Sequence, residues 1–298
     1  MGRRHRTEGD ATLIAQDQKH GLLLVSPTFI YALLLLAAPL AMVIAFSFWT
    51  QDYLDLDTTF TLQNYREAWT DPLYRELMLR SLRISVIVTA VTVLLAFPVA
   101  YFISFKVKKR KALWLFLITV PFWTSYLLRV FLWKVILGYN GVLNSALLGL
   151  GIIDEPLSFI LYNVNAVIIT LAHAWAPFAI LPIFVALERI DRSLLEAAKD
   201  LGDGAIRSFF RITLPLAMPG VVAAIIIVLI PTVGDYITPR LVGGTDGLMI
   251  ANMIQVQFGK ANNAPLGAAL ALSSVLIVGG LSLLIFFLTR KIGKAGVD

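Results

Sequence analysis

Six apolar stretches, at about residues 22–49, 79–105, 112–137, 163–187, 219–236 and 265–289, limit what this chain can fold into more than any other feature. A hydrocarbon core of roughly 30 Å is crossed by about 20 apolar residues in helical conformation. Unpaired backbone groups are too costly in lipid, so only helices and closed barrels span it. The alternation of a barrel strand is absent. The expected fold class is therefore all-α, a polytopic membrane protein with six transmembrane helices. Composition agrees, since 58% of the 298 residues are hydrophobic and 15% charged, against about a quarter charged in a soluble domain.

Residues 1–21 form a polar tail with Arg3, Arg4 and Arg6, whose composition predicts little order. The apolar run beginning at Leu22 is too long for a signal-peptide core and reads as an uncleaved first span, bent at Pro27 and Pro39. Residues 22–298 then make one transmembrane domain. A polar loop is expected over residues 50–78, and a short amphipathic piece over Leu143 to Leu150. Cytoplasmic loops are enriched in Lys and Arg. With the amino terminus inside, the inner segments carry 17 basic residues and the outer ones 5. Both termini and the loop over 188–218 are thus expected in the cytosol. The net charge of +6 follows from this distribution, and nucleic acid is not an expected partner.

Within that loop, Glu196 to Pro215 (EAAKDLGDGAIRSFFRITLP) is a charged island between two apolar runs. Ser193 and Glu196 have capping-box spacing, which predicts a short helix starting at Ser193. Gly202 stands where a left-handed residue would end it. Asp203 is placed to cap a second short helix through Phe209, Phe210 and Ile212, closed on the approach to Pro215.

Enzyme chemistry has little to build on. No GxxxxGK[ST] phosphate loop is present, so the chain carries no ATPase site of its own. Cysteine is absent, and His5, His20 and His173 have no metal-ligand spacing, so no metal site is expected. His173, beside Trp175, suits a hydrogen bond between helices. Ionisable groups at membrane depth are functional candidates by default. Lys134 is close enough to the outer end of the third span to snorkel, whereas Arg129 lies deeper, as a structural counter-ion. Asp235 sits in Pro-Thr-Val-Gly-Asp-Tyr-Ile-Thr-Pro, where two prolines and a glycine predict a broken end to the fifth span. Two readings stand there. With Tyr236, the carboxylate suits a cationic guest by charge and cation–π contact; alternatively it caps the span or pairs with Arg240.

Glu196, Ala197, Ala198, Gly202, Ile212, Leu214 and Pro215 have the spacing of the EAA loop, and the chain resembles the membrane subunits of ABC importers. The resemblance implies a type I importer permease in a bacterial cytoplasmic (inner) membrane, docked by this loop onto a dimer of ATP-binding subunits. Those subunits would hold ATP and Mg, with no cofactor on this chain. It also implies a second, distinct permease subunit and an extracytoplasmic solute-binding protein. Pro121 to Arg129, Gly234 to Gly244 and Gln255 to Phe258 are similar to the spermidine/putrescine branch, which implies a polyamine substrate. Trp123, Tyr126, Asp235 and Tyr236 in those segments are the candidates for the substrate pathway. Permeases for opines and other organic solutes share these segments in part. An ion-coupled secondary transporter would need inverted repeats and clustered mid-membrane charges.

Overall fold

The computed structural model describes residues 8–53 and 55–294, with side chains over 25–53 and 55–289. Helix α1 (Glu8–Ser47) runs through Pro27 and Pro39 as one element. The polar stretch before Leu22 is thus helical from Glu8 onward, contrary to the sequence expectation. Ala11, Leu13, Ala15, Gln16 and Lys19 are good helix formers and outweigh Gly9 and Gly21. From Val25 to Ser47 the helix lies outside the bundle and exposes Leu33, Leu34, Leu35 and Leu36.

Residues 50–78 are not a plain loop. Strands β1 (Thr50–Asp52) and β2 (Asp55–Asp57) pair antiparallel, and α2 (Gln63–Thr70) follows. The buried Asn64 donates its amide to the carbonyls of Ser47 (3.1 Å) and Trp49 (2.6 Å). It thereby satisfies backbone acceptors that the end of α1 leaves unpaired. Helix α3 (Pro72–Tyr101) starts a full two turns before the apolar run, because Asp71 accepts from the Leu73 amide at 2.7 Å and Pro72 suits the first turn. A π-turn over Phe102–Lys106 extends it.

The third apolar run is not one straight span. Helix α4 (Lys111–Thr119) passes through a 3-10 turn, Val120–Trp123, and meets α5 (Tyr126–Ile136) at 88°. Thr124 and Ser125 are extended at the corner, just after Pro121. Helix α6 (Val142–Gly149) matches the amphipathic piece expected there. The loop around it is pinned by the buried Asn144, which exchanges hydrogen bonds with the backbone of Leu157. Helix α7 (Val164–Glu188) begins at Asn163, whose side chain accepts from the Ala166 amide at 3.1 Å.

The remaining elements are α8 (Arg192–Asp200), α9 (Ala205–Ser208), α10 (Leu214–Val233), α11 (Ile237–Val242), α12 (Ile250–Phe258) and α13 (Ala264–Lys294). Helices α3, α7 and α10 form the heart of the bundle, with Val88, Leu171, Ile183, Ala217 and Val228 buried between them. At Gly220 on α10 a Cβ would stand 2.5 Å from both the Pro182 carbonyl and the Ala186 side chain. Only glycine permits that approach to α7, the usual device of helix packing in lipid. A second cluster, with Leu77, Ile250, Leu266 and Leu270, joins α3, α12 and α13.

Candidate functional site

Two sites emerge, one at each kind of chain break. The first is the polar hairpin after α7. Helix α8 starts one residue before Ser193, capped by Asp191, whose carboxylate accepts from the Ser193 amide at 3.0 Å. That backbone hydrogen bond holds the Asp191 carboxyl below the usual carboxylate range. The capping box expected from Ser193 and Glu196 is thus replaced by an Asp cap, and Glu196 is left exposed along with Ala197. Ala198 is buried.

The end of α8 follows the expected geometry. Gly202 has φ +86°, its amide bonds the Lys199 carbonyl at 3.0 Å, and the Asp203 amide bonds the Ala198 carbonyl at 2.9 Å. This is the Schellman pattern, which pairs the last helical carbonyls. A Cβ on Gly202 would meet nothing within 4 Å, so the backbone angle alone selects glycine.

Beyond it, two sequence expectations fail. Asp203 caps nothing; Gly204 holds the cap position, and Asp203 instead pairs with Arg207 and Arg211, both at 3.6 Å. Nor does the second arm close at Pro215. Helix α9 runs through a π-turn, Phe209–Thr213, directly into α10, so that Ala205–Val233 is one continuous helical span. A proline ring clashes with the carbonyl four residues back in a regular helix. The wider π-turn just before Leu214 and Pro215 gives that carbonyl room. Ile212 lies on this turn, half-buried, while Phe209 packs edge-on against Phe97 of α3 at 5.5 Å. Leu194, Leu201, Ile206 and Phe210 stay exposed on the otherwise charged hairpin.

The second site is where the break in the third span meets the end of α10. Helix α10 stops at Val233, and Asp235 folds back to cap α11, accepting from the amides of Ile237 (2.9 Å) and Thr238 (3.3 Å). Its other oxygen takes the hydroxyls of Thr238 (2.6 Å) and of Tyr126 from α5. The Tyr126 and Thr238 oxygens are themselves 2.7 Å apart. Tyr126 and Asp235 are therefore together, and the buried carboxylate has its acceptor positions filled by four protein donors. Arg240 turns away and donates to Gln255 at 3.2 Å, so the expected alternative partner for Asp235 is not used.

Trp123 and Tyr236 do not join this cluster. Trp123 is 78% exposed at the corner of the third span. Tyr236 lines a cavity of about 510 Å³ between α10, α12 and α13, together with Gln255 and Ser274. Arg129 is buried without a carboxylate partner among the described residues, and donates to the carbonyls of Thr124 (3.2 Å) and Phe122 (3.4 Å). It seals the corner itself rather than acting as a counter-ion. Lys134 lies 5.8 Å over the Tyr162 ring. His173 accepts from the Trp133 indole at 3.1 Å, the inter-helix bond expected of it.

Sequence reasoning missed a polar knot beside α8. Glu188 accepts from Lys111 and from the Ser104 hydroxyl, both at 2.6 Å, and Arg192 donates to the Ser104 carbonyl at 2.8 Å. No local pattern signalled it: Glu188 ends α7 and Arg192 begins α8, so the i, i+4 pairing of a single helix does not apply to them.

Comparison with known proteins places the chain in a family. A family model described as binding-protein-dependent transport system inner membrane component matches residues 92–294. The chain is 39% identical over 257 residues to the spermidine/putrescine transport system permease protein PotB of Escherichia coli, covering 86% of this chain and 93% of that protein. Against the protein of the same description from Haemophilus influenzae it is 36% identical over 275 residues, 92% of this chain and 94% of the relative. Among solved structures, a bacterial ABC transporter involved in the import of the acidic polysaccharide alginate superposes with a TM-score of 0.70 over 94% of this chain and 99% of that one. At 17% identity, that likeness concerns the fold.

Proposed function

Since this chain belongs to the binding-protein-dependent transport system inner membrane components, we propose that it forms the polyamine pathway of an ATP-driven importer and is moved by a separate ATPase dimer. It is a multi-pass inner-membrane permease subunit and not itself an enzyme. The substrate reading rests on one observation: similarity to spermidine/putrescine permeases extends over nearly the whole chain, at 39–40% identity.

In this reading residues 188–218 face the cytosol, where the exposed Glu196 and Ala197 and the bare side chains of Leu201, Ile206 and Phe210 meet the ATPase. ATP and Mg belong to that subunit. A second permease completes the pathway, and a solute-binding protein delivers the polyamine from the other side. Coupling requires each partner to prefer one conformation of the permease. Asp235, Tyr126, Tyr236 and Trp123 are the pathway groups. A protonated amine reaching Asp235 would take the place that the Tyr126 hydroxyl now holds.

The test is ATP-dependent uptake of labelled spermidine into proteoliposomes holding the full assembly. Glu196→Lys is expected to insert normally, to retain less ATPase subunit on purification and to abolish uptake. Normal uptake by that variant would remove the coupling role from the loop. Uptake of an opine in preference to spermidine would reassign the substrate.

A further inference from the structure

We propose that Glu188 is a positioning residue that fastens the coupling helix α8 to the second and third spans, so that motion of the hairpin reaches the corner of the third span. This inference rests on the functional reading above. Its basis is a knot of four elements around two acceptors. One acceptor is the Glu188 carboxylate at the end of α7, bonded by Lys111 Nζ and Ser104 Oγ at 2.6 Å, with Arg192 at 3.9 Å. The other is the Ser104 carbonyl on the π-turn that ends α3, bonded by Lys111 Nζ and by the Arg192 guanidinium, each at 2.8 Å.

The chain makes such a knot possible because the last carbonyls of a helix have no partner within it. Lys111 and Arg192 supply the missing donors for Ser104, and Glu188 balances their charge between them. Ser104 is buried, and the Arg192 guanidinium also lies 4.8 Å over the Phe105 ring. Isolated surface ion pairs contribute little. Here each charged group makes more than one contact, and the charge-assisted hydrogen bonds are short.

The positions of the four residues give the knot a direction. Arg192 is the first residue of α8, which carries Glu196. Lys111 is the first residue of α4, whose far end is the corner at Trp123–Tyr126. At that corner Tyr126 holds Asp235. A displacement of α8 therefore passes through Arg192, Ser104, Glu188 and Lys111 to the base of α4, and along α4 to the pathway. None of the four needs to touch ATPase or substrate.

The experiment measures spermidine uptake and ATP hydrolysis in the same proteoliposomes, using the assembly with its ATPase subunit, second permease and binding protein. Glu188→Gln and Lys111→Met are each expected to lower uptake per ATP hydrolysed by about tenfold, a typical size for a coupling between sites. Lys111→Arg keeps the charge and is expected to keep the ratio. If uptake and hydrolysis fall in proportion in K111M, or its ratio equals that of the unmodified assembly, the assignment is overturned. Should E188Q assemble poorly, K111M and K111R carry the comparison alone, because Lys111 is partly exposed and outside the bundle core. An unmodified assembly that shows no ATP-dependent spermidine uptake would sink the functional reading, and this inference with it.

Discussion

Replacing Tyr126 by Phe removes one hydroxyl and leaves the ring, with its tilted packing 6.4 Å from Trp175, in place. Of the four donors to Asp235, Tyr126 alone comes from another span; the other three are on Ile237 and Thr238. A hydrogen bond to a charged group contributes about 1.5–3 kcal/mol. In a chain of this size each kcal/mol moves the melting temperature by roughly 2–4 °C, so the purified variant is expected to melt at least about 3 °C lower. If an amine must displace Tyr126 to reach Asp235, the variant has already broken that bond. The same 1.5–3 kcal/mol then appears as tighter apparent binding, about tenfold or more in KM for spermidine. The assays are thermal melting in detergent and initial uptake rates across a spermidine series. A lower melting temperature with an unchanged or raised KM would refute the reasoning and return Asp235 to a helix cap.

Five further substitutions, at four positions, probe the scaffold. Gly244→Ala forces a Cβ to 2.3 Å from the Tyr162 carbonyl at φ +60°; left-handed strain alone costs about 1–2 kcal/mol, and the backbone clash adds to it, so the yield of folded protein should drop sharply. Gly202→Ala faces open space at φ +86° and should cost only about 1–2 kcal/mol, with Gly202→Asn milder still; equal damage from both would mean that space matters after all. Arg129→Gln withdraws donors from the Thr124 carbonyl and is expected to lower stability by about 1–3 kcal/mol, while Lys134→Gln should change it by less than about 0.5 kcal/mol. Similar melting temperatures for the two variants would contradict the sealing role of Arg129.

The sequence was most informative where one local rule acts alone. Gly202 is left-handed because a helix had to end there, and α7 starts where the fourth apolar run was expected to start, next to Asn163. Reading failed where two rules compete. Asp191 and Ser193 are both good caps; Asp191 prevails, so that Arg192 becomes helical and reaches Ser104. Pro215 predicts a stop, yet a π-turn absorbs it. The corner between α4 and α5 left no trace in the apolar pattern, since Phe116, Leu117, Leu127 and Leu128 are apolar and exposed on both sides of it. The nearness of Tyr126 to Asp235 joins residues 109 positions apart, which no local pattern encodes. Pro121 and the Thr124-Ser125 pair were the signals of a break, and Gly234 marked the other one.

Because the second arm of the hairpin and the fifth span are a single 29-residue helix, at 1.5 Å per residue it measures about 43 Å from end to end. Its soft places are the widened turn at Phe209–Thr213, near the end that the proposed ATPase would push, and Pro219 and Pro231, each of which removes a bond from the helical ladder. A tilt imposed at Ala205 would swing the opposite tip at Val233, two residues short of Asp235, so the acid's companions would change with the stroke even if nothing ever touched them.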